Sequence, residues 1–307
     1  MKATPRDWFL LSSLGLIWGC AFMATTVATH DFETFTLSAA RLAIGTLALV
    51  AILAWRGETL PGFRTSEERR FWLFAFGEAI TAYAIPFTLL SWAQRHVDSS
   101  FAGVVVASVP LFILPMAYFF VPGENMSWRK VIGFLLGFLG IVVLMGPDSF
   151  TSLGGDTVTT LAQLACLGVA LGYASGSIIA KLAPQLGLVR FGTASLIVAT
   201  ALMTPIALAT EGLPTLPSTE GALAMLYLGL IPTGLATVML LSVIASAGPG
   251  FFSLVNYQVP VWAVIFGIIV LAEKPSATLG YALILIFLGL AISQNLLGLR
   301  RGGHAKG

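Results

Sequence analysis

Gly248-Pro249-Gly250-Phe251-Phe252-Ser253-Leu254-Val255-Asn256-Tyr257-Gln258-Val259-Pro260-Val261-Trp262 continues through an apolar tract to Glu273. The stretch is long and apolar enough to cross a bilayer as a helix. Its middle nevertheless carries two amides and a phenol directly ahead of a proline. Pro260 has no backbone N–H, so the carbonyl of Asn256, four residues back, loses its helical donor. Against lipid an unsatisfied backbone group costs several kcal/mol, so such a segment must face protein or a watery cavity. A polar solute would bind there.

Working outward, apolar segments bounded by charge, glycine or proline fall at about 6–28, 33–56, 70–93, 98–121, 127–146, 159–182, 188–210, 219–245, 248–271 and 277–298. Each meets the roughly 20-residue requirement for a spanning helix. Hydrophobic residues are 57% of the chain and charged ones 10%, as an integral membrane protein requires. The opening run from Trp8 is too long for the apolar core of a signal peptide and is read as the first span. Loops are short, the longest being about 57–69 and 147–158, which leaves no room for a soluble catalytic domain.

Loop charge sets the expected orientation. With the N-terminus inside, Lys2, Arg6, Arg56, Arg64, Arg69, Arg70, Arg129, Lys130, Lys181, Arg190, Arg300, Arg301 and Lys306 are cytoplasmic, and the outer loops hold only Arg95 and Lys274. Both termini are therefore expected in the cytoplasm. Trp8, Trp55, Trp72, Trp92 and Trp128 fall at helix ends, as an interfacial belt would place them, whereas Trp18 and Trp262 fall mid-span.

The opening stretch has an echo. Asp98 to Phe120 aligns with Gly248 to Val270 at a shift of 150, matching Pro110 to Pro260. The following segment aligns at 149, pairing Glu124 with Glu273, Ser127 with Ser276, and Phe138-Leu139-Gly140 with Phe287-Leu288-Gly289. The predicted fold is an all-α polytopic membrane protein of ten transmembrane helices, arranged as two inverted five-helix repeats around a central cavity. The first repeat spans 1–148; the second spans 149–307 and ends in a short basic tail. Five helices per repeat invert the second relative to the first, which places a binding site at the midplane between them.

The order and duplication of these features resemble the drug/metabolite transporter superfamily, in particular its EamA-type exporters. The likeness rests on Trp18-Gly19, Arg41-Leu42, the Pro110 to Glu124 and Pro260 to Glu273 spacings, and the glycine-rich helices after each glutamate. Within that superfamily the chain looks most like bacterial exporters of aromatic and other neutral amino acids, of the YddG type. The resemblance implies a basket of two inverted repeats, open to one side at a time, in a bacterial inner membrane. The second repeat has no counterpart of Arg41.

Asp7, Asp31, Asp98, Asp148, Asp156, His30, His96 and His304 all fall in loops, tails or helix boundaries. No aspartate pair, His/Glu metal cluster or Ser-His couple is legible inside the membrane, so no catalytic residue, metal site or cofactor is expected. No Gly-Lys-Ser/Thr occurs, so ATP does not drive this chain, and a net charge of +2 argues for no nucleic-acid partner. Cys20 and Cys166 lie in apolar runs and read as small core thiols. The expected partners are the lipid bilayer and a small amphipathic metabolite, first an amino acid. A drug or other-metabolite exporter and a membrane-embedded enzyme or receptor module are the alternatives.

Within the membrane the charged residues are Arg41 and Glu78, with Lys181 near a helix end. Each of the first two sits about 12 Å deep from opposite faces, so an ion pair, a substrate-carboxylate clamp and proton coupling are all open. The candidate cavity wall is Trp18, Tyr83, Tyr173, Asn256, Tyr257, Gln258 and Trp262, whose rings and amides suit neutral or aromatic amino acids. On an unbroken helix Asn256 and Gln258 point apart, so both cannot meet one ligand. Pro110 and Pro260 are expected helix kinks. Gly15/Gly19, Gly133/Gly137 and Gly168/Gly172/Gly176 predict close helix contacts. Glu124 and Glu273 are expected to cap or anchor loops, ahead of a gating role, with Ser127 and Ser276 as N-caps.

Overall fold

A computed structural model describes residues 3–145 and 157–294. The repeat boundary at 148/149, Asp148, Asp156, His304, Lys2 and the basic tail lie outside the described residues. Among the described residues ten helices are formed: α1 Pro5–Ala28, α2 Thr34–Trp55, α3 Ser66–Ala93, α4 Ser99–Phe120, α5 Trp128–Met145, α6 Thr157–Leu182, α7 Leu188–Thr210, α8 Thr219–Ile244, α9 Val255–Leu271 and α10 Ala277–Ser293. Eight are long and apolar enough to span by composition alone, and α9 and α10 are shorter apolar helices of 17 residues. At about 1.5 Å per residue, 17 residues still reach the lower limit of a spanning helix.

The start of α9 differs from the sequence expectation of 248. Gly248 adopts φ 85°, a conformation open to glycine, which kinks the chain; a short helical stretch to Phe252 and a turn at Ser253 and Leu254 then precede α9 at Val255. The break has a local cause: a glycine supplies the positive φ, and Pro249 then lacks the N–H that would continue a helix.

Packing follows the repeat. α1 lies on α8 and α9, α2 on α7 and α8, α3 on α6 and α7, α4 on α6 and α9, and α5 on α10. Exchanging each helix of one repeat for its counterpart five places along maps this set onto itself. The glycine stripes make these contacts possible. Gly15 receives the Gln258 side chain and Gly19 that of Trp262, which joins α1 to α9. Gly133 faces the backbone of Gly289 across α5 and α10. Gly172 and Gly176 face Pro86 and Ala82 across α6 and α3.

Two ends of the bundle follow from its loops: a terminal end, where α1 starts, and a distal end. At the distal end, helix N-termini are capped by carboxylates from elsewhere in the chain. Glu211 after α7 accepts from the N–H groups of Phe35 (2.9 Å) and Thr36 (2.7 Å) at the start of α2. Asp31 accepts from the Ser218 N–H (3.2 Å) and hydroxyl (2.5 Å) before α8, which holds its carboxyl below the usual range. Glu273 accepts from Ser99 (2.7 Å) and Ser100 (3.1 Å) at the start of α4. Such caps satisfy orphan N–H groups and place negative charge on the positive end of the helix dipole.

At the terminal end the capping is local. α1 and α3 start with capping boxes from Thr4/Asp7 and Thr65/Glu68. Ties across this end join Glu58 to Arg190 (3.1 Å), Glu124 to Lys181 (2.9 Å) and the Ser246 hydroxyl to Asp7. The Lys181 hydrogen bond and charge, with Lys130 behind them, hold the Glu124 carboxyl below the ordinary range. Ser127 accepts from the Lys130 N–H (3.3 Å) as expected of an N-cap. Ser276 occupies the N-cap position of α10 without a cap hydrogen bond, because its hydroxyl pairs with Thr278 (2.6 Å).

Candidate functional site

Both repeats depart from α-helical geometry at the same place. α3 is π-helical over Ala79–Ala84 and α8 over Gly229–Leu235, and Ala79 and Gly229 stand 150 residues apart. The sequences at these two places are not alike, so the sequence alignment did not reveal the match. A proline accompanies each. Pro86 follows the first segment, where the Ile85 N–H bonds five residues back to the Ile80 carbonyl. In the second, Pro232 leaves the Leu228 carbonyl without its helical donor, and the Thr233 hydroxyl supplies one at 2.8 Å. Single π turns inside helices are common at functional positions.

Arg41 projects from α2 onto this repaired break. Its Nε donates to the Thr233 hydroxyl at 3.3 Å, and its guanidinium carbon lies 3.9 Å from the centre of the Phe87 ring. Arg41 is 7% exposed and Glu78 9%. The two do not pair: Glu78 accepts from the Ser195 hydroxyl of α7 at 2.7 Å. Thus each buried charge is held by one neutral hydroxyl, and no ion pair between them occurs among the described residues.

Tyr83 and Tyr173 complete the cluster. Tyr83 sits edge-on to Phe87, ring centres 5.9 Å apart, and lies within electrostatic reach of Glu78 and Tyr173. Tyr173 in turn lies within reach of Arg41 and packs on both major core clusters. Among the described residues, the buried side-chain polar atoms without a partner are Gln94 Oε1, Ser99 Oγ, Ser100 Oγ and Tyr257 Oη. Among the described residues the terminal nitrogens of Arg41 and the phenols of Tyr83 and Tyr173 make no hydrogen bond, and none of them belongs to that sealed set.

Of the sequence candidates, Arg41, Glu78, Tyr83 and Tyr173 thus come together. Trp18 is spent on packing, its indole N–H donating to the Pro232 carbonyl at 3.2 Å and its ring standing edge-on to Phe252. The α9 group is engaged elsewhere. The Asn256 amide donates to the Ser253 carbonyl (2.9 Å), Tyr257 packs on Phe287 (5.4 Å), Gln258 lies in the Gly15 notch of α1, and Trp262 sets its Cβ against Gly19 with its ring beside Phe266. α4 breaks at Ala107 and Ser108, just before Pro110, whereas α9 is continuous over Val255–Leu271 with Pro260 inside it. Sequence reasoning missed Phe87, Ser195 and Thr233. Only Thr233 had a signal, a hydroxyl one residue after a mid-membrane proline. Cys20 and Cys166 are free thiols, and among the described residues no cluster of His, Cys, Asp or Glu could hold a metal.

A model of the EamA-like transporter family matches residues 8–146 and again 160–294. The chain belongs to the EamA-like transporter family. The family model thus matches the chain twice in succession. The EamA-like chain is 24% identical to the uncharacterized transporter YoaV of Bacillus subtilis (strain 168), over 91% of this chain and 93% of that one. It is 26% identical to the uncharacterized inner membrane transporter YedA of Escherichia coli (strain K12), over 84% and 80%. It is 25% identical to a probable terminal-alkyne amino-acid exporter of Streptantibioticus cattleyicolor, over 100% of this chain and 99% of that one. A crystal structure shares the fold with a TM-score of 0.69 at 23% identity, over 97% of this chain and 100% of that one. The protein is a membrane transporter of small molecules.

Proposed function

We propose that this transporter exports amino acids, aromatic and other neutral ones, across a bacterial cytoplasmic membrane by alternating access, with both termini in the cytoplasm. The observation that carries the substrate is the Arg41 guanidinium. It is buried, stacked on Phe87 and bound through Nε to a neutral hydroxyl, and its terminal donors have no hydrogen-bond partner among the described residues. A buried cation without an anion is costly, and a planar guanidinium with free terminal N–H groups matches a carboxylate. The surrounding rings suit an uncharged or aromatic side chain. The similarity to an amino-acid exporter supports the same class. The loop charge supports the orientation.

Glu78 is the proposed coupling group. Among the described residues it has one hydroxyl partner and no cation, and it lies on the helix turn that opens the π segment. A carboxylate so placed is suited to take up a proton in one state and release it in another.

The test is uptake of radiolabelled phenylalanine, tryptophan, threonine and methionine into proteoliposomes, with and without an imposed pH gradient. Saturable uptake of at least one is the expected result; movement of none of the four favours an exporter of drugs or other metabolites. Glu78→Gln is expected to abolish the stimulation by the gradient while gradient-free exchange of labelled for unlabelled substrate persists. Stimulation that survives Glu78→Gln assigns Glu78 a packing role.

A further inference from the structure

Glu273 belongs to the second repeat, yet it caps a helix of the first. Its two oxygens take the Ser99 and Ser100 N–H groups, two of the four orphan donors of α4. Both serine hydroxyls beside it are sealed and without a partner. The turn that aims it is unusual. Ala272, immediately before it, has φ 54°, the positive-φ non-glycine among the described residues. In the first repeat Gly123, with φ 84°, stands immediately before Glu124 in the same way. The two glutamates therefore issue from equivalent turns at opposite ends of the bundle.

They are not in equivalent places. Glu124 does not cap the start of the α9 region; it holds Lys181 at 2.9 Å and Lys130 at 3.5 Å. The packing of α4 shows the same asymmetry. Its distal segment Ser99–Val106 is buried along most of its length and packs on α9, α1 and α6. Its other segment, Val109–Phe120, has Leu111 as its buried residue and packs on α6 and α5, away from α9. α4 and α9 thus meet at the distal end and part toward the terminal end. One difference in sequence favours this state: the counterpart of Ser99 at a shift of 150 is Pro249, which has no N–H to offer.

We propose that Glu273 and Glu124 are reciprocal latches of the transport cycle. Glu273 holds the distal end shut by capping α4 and must leave that helix for the site to open there. Glu124 exchanges its lysines for the start of the α9 region when the terminal end shuts. The inference rests on the transport reading only in that a gate serves a cargo.

The test is a distance between spin labels at His96→Cys and Lys274→Cys, two exposed distal positions, in a full chain with Cys20 and Cys166 replaced by alanine. Glu273→Gln weakens the cap, and Ser99→Pro removes one of its donors. Proline is accepted in the first helical turn, and Asp98 already has the extended backbone (φ -62°, ψ 150°) that precedes a proline. Each variant is expected to raise the long-distance population several-fold, and Glu124→Gln to leave it as in the parent. An unchanged distribution in either Glu273→Gln or Ser99→Pro, or equal lengthening in Glu124→Gln, overturns the proposal. A cap that merely stabilises the fold would lower thermal stability without moving the distances. Uptake on the same preparations separates the two readings: a parent that moves no amino acid while Glu273→Gln still lengthens the distance removes the substrate and leaves the latch.

Discussion

Arg41→Met is expected to weaken amino-acid binding by about 30- to 1,000-fold while the protein remains folded. Among the described residues the side chain makes one hydrogen bond, to Thr233, and one ring contact, to Phe87, and its terminal nitrogens make none. On the proposed reading these donors take the ligand carboxylate. Hydrogen bonds to charged groups contribute about 1.5–3 kcal/mol each, so losing a two-pronged contact removes about 2–4 kcal/mol after partial compensation. Methionine keeps most of the apolar stem against Phe87 and removes a buried cation, which limits the loss of stability. Arg41→Lys retains charge without the planar fork and is expected to fall between the two. The measurement is substrate-induced thermal stabilisation alongside proteoliposome uptake; equal affinity in wild type and Arg41→Met would remove Arg41 from the binding site.

The second large effect is on the fold. Gly133→Leu is expected to destabilise the protein by about 3–5 kcal/mol, at the upper end of what overpacking produces. A Cβ at Gly133 would stand 2.5 Å from the Gly289 carbonyl oxygen and 2.9 Å from the Ser293 nitrogen. Both obstacles are backbone, so no rotamer change relieves the clash and α5 must move off α10. Gly280→Leu on the same α10 is the control, because a Cβ there meets nothing within 4 Å. A thermal melt of detergent-purified protein should show a large drop for Gly133→Leu and little change for Gly280→Leu. Equal melts would mean that α5 and α10 do not meet through these glycines.

Both predictions separate what was legible in the sequence from what was not. Helix number and approximate ends follow from hydropathy, because in a bilayer every backbone polar group must be satisfied within its own helix. The two repeats follow from Pro110 and Pro260 in register with Glu124 and Glu273. The close contacts follow from glycine spacing, since a missing side chain on one face invites the neighbouring backbone. Charge inside the membrane marked Arg41 and Glu78 for the same reason: few side chains are so costly to place there.

Only the tertiary structure decided which candidates meet. Asn256, Tyr257, Gln258 and Trp262 carry the strongest local signal in the chain, yet α9 turns them onto its own start, α10 and α1. Arg41 and Glu78 are the two charges that the sequence places well inside the membrane, yet they bind hydroxyls on α8 and α7 rather than each other. The rotation of each helix about its axis sets these partners, and it depends on contacts between residues more than a hundred positions apart. The π segments add an offset that no periodic pattern in the sequence carries. Local chemistry therefore determined where the helices are and which residues are expensive, and long-range packing determined what each of those residues faces.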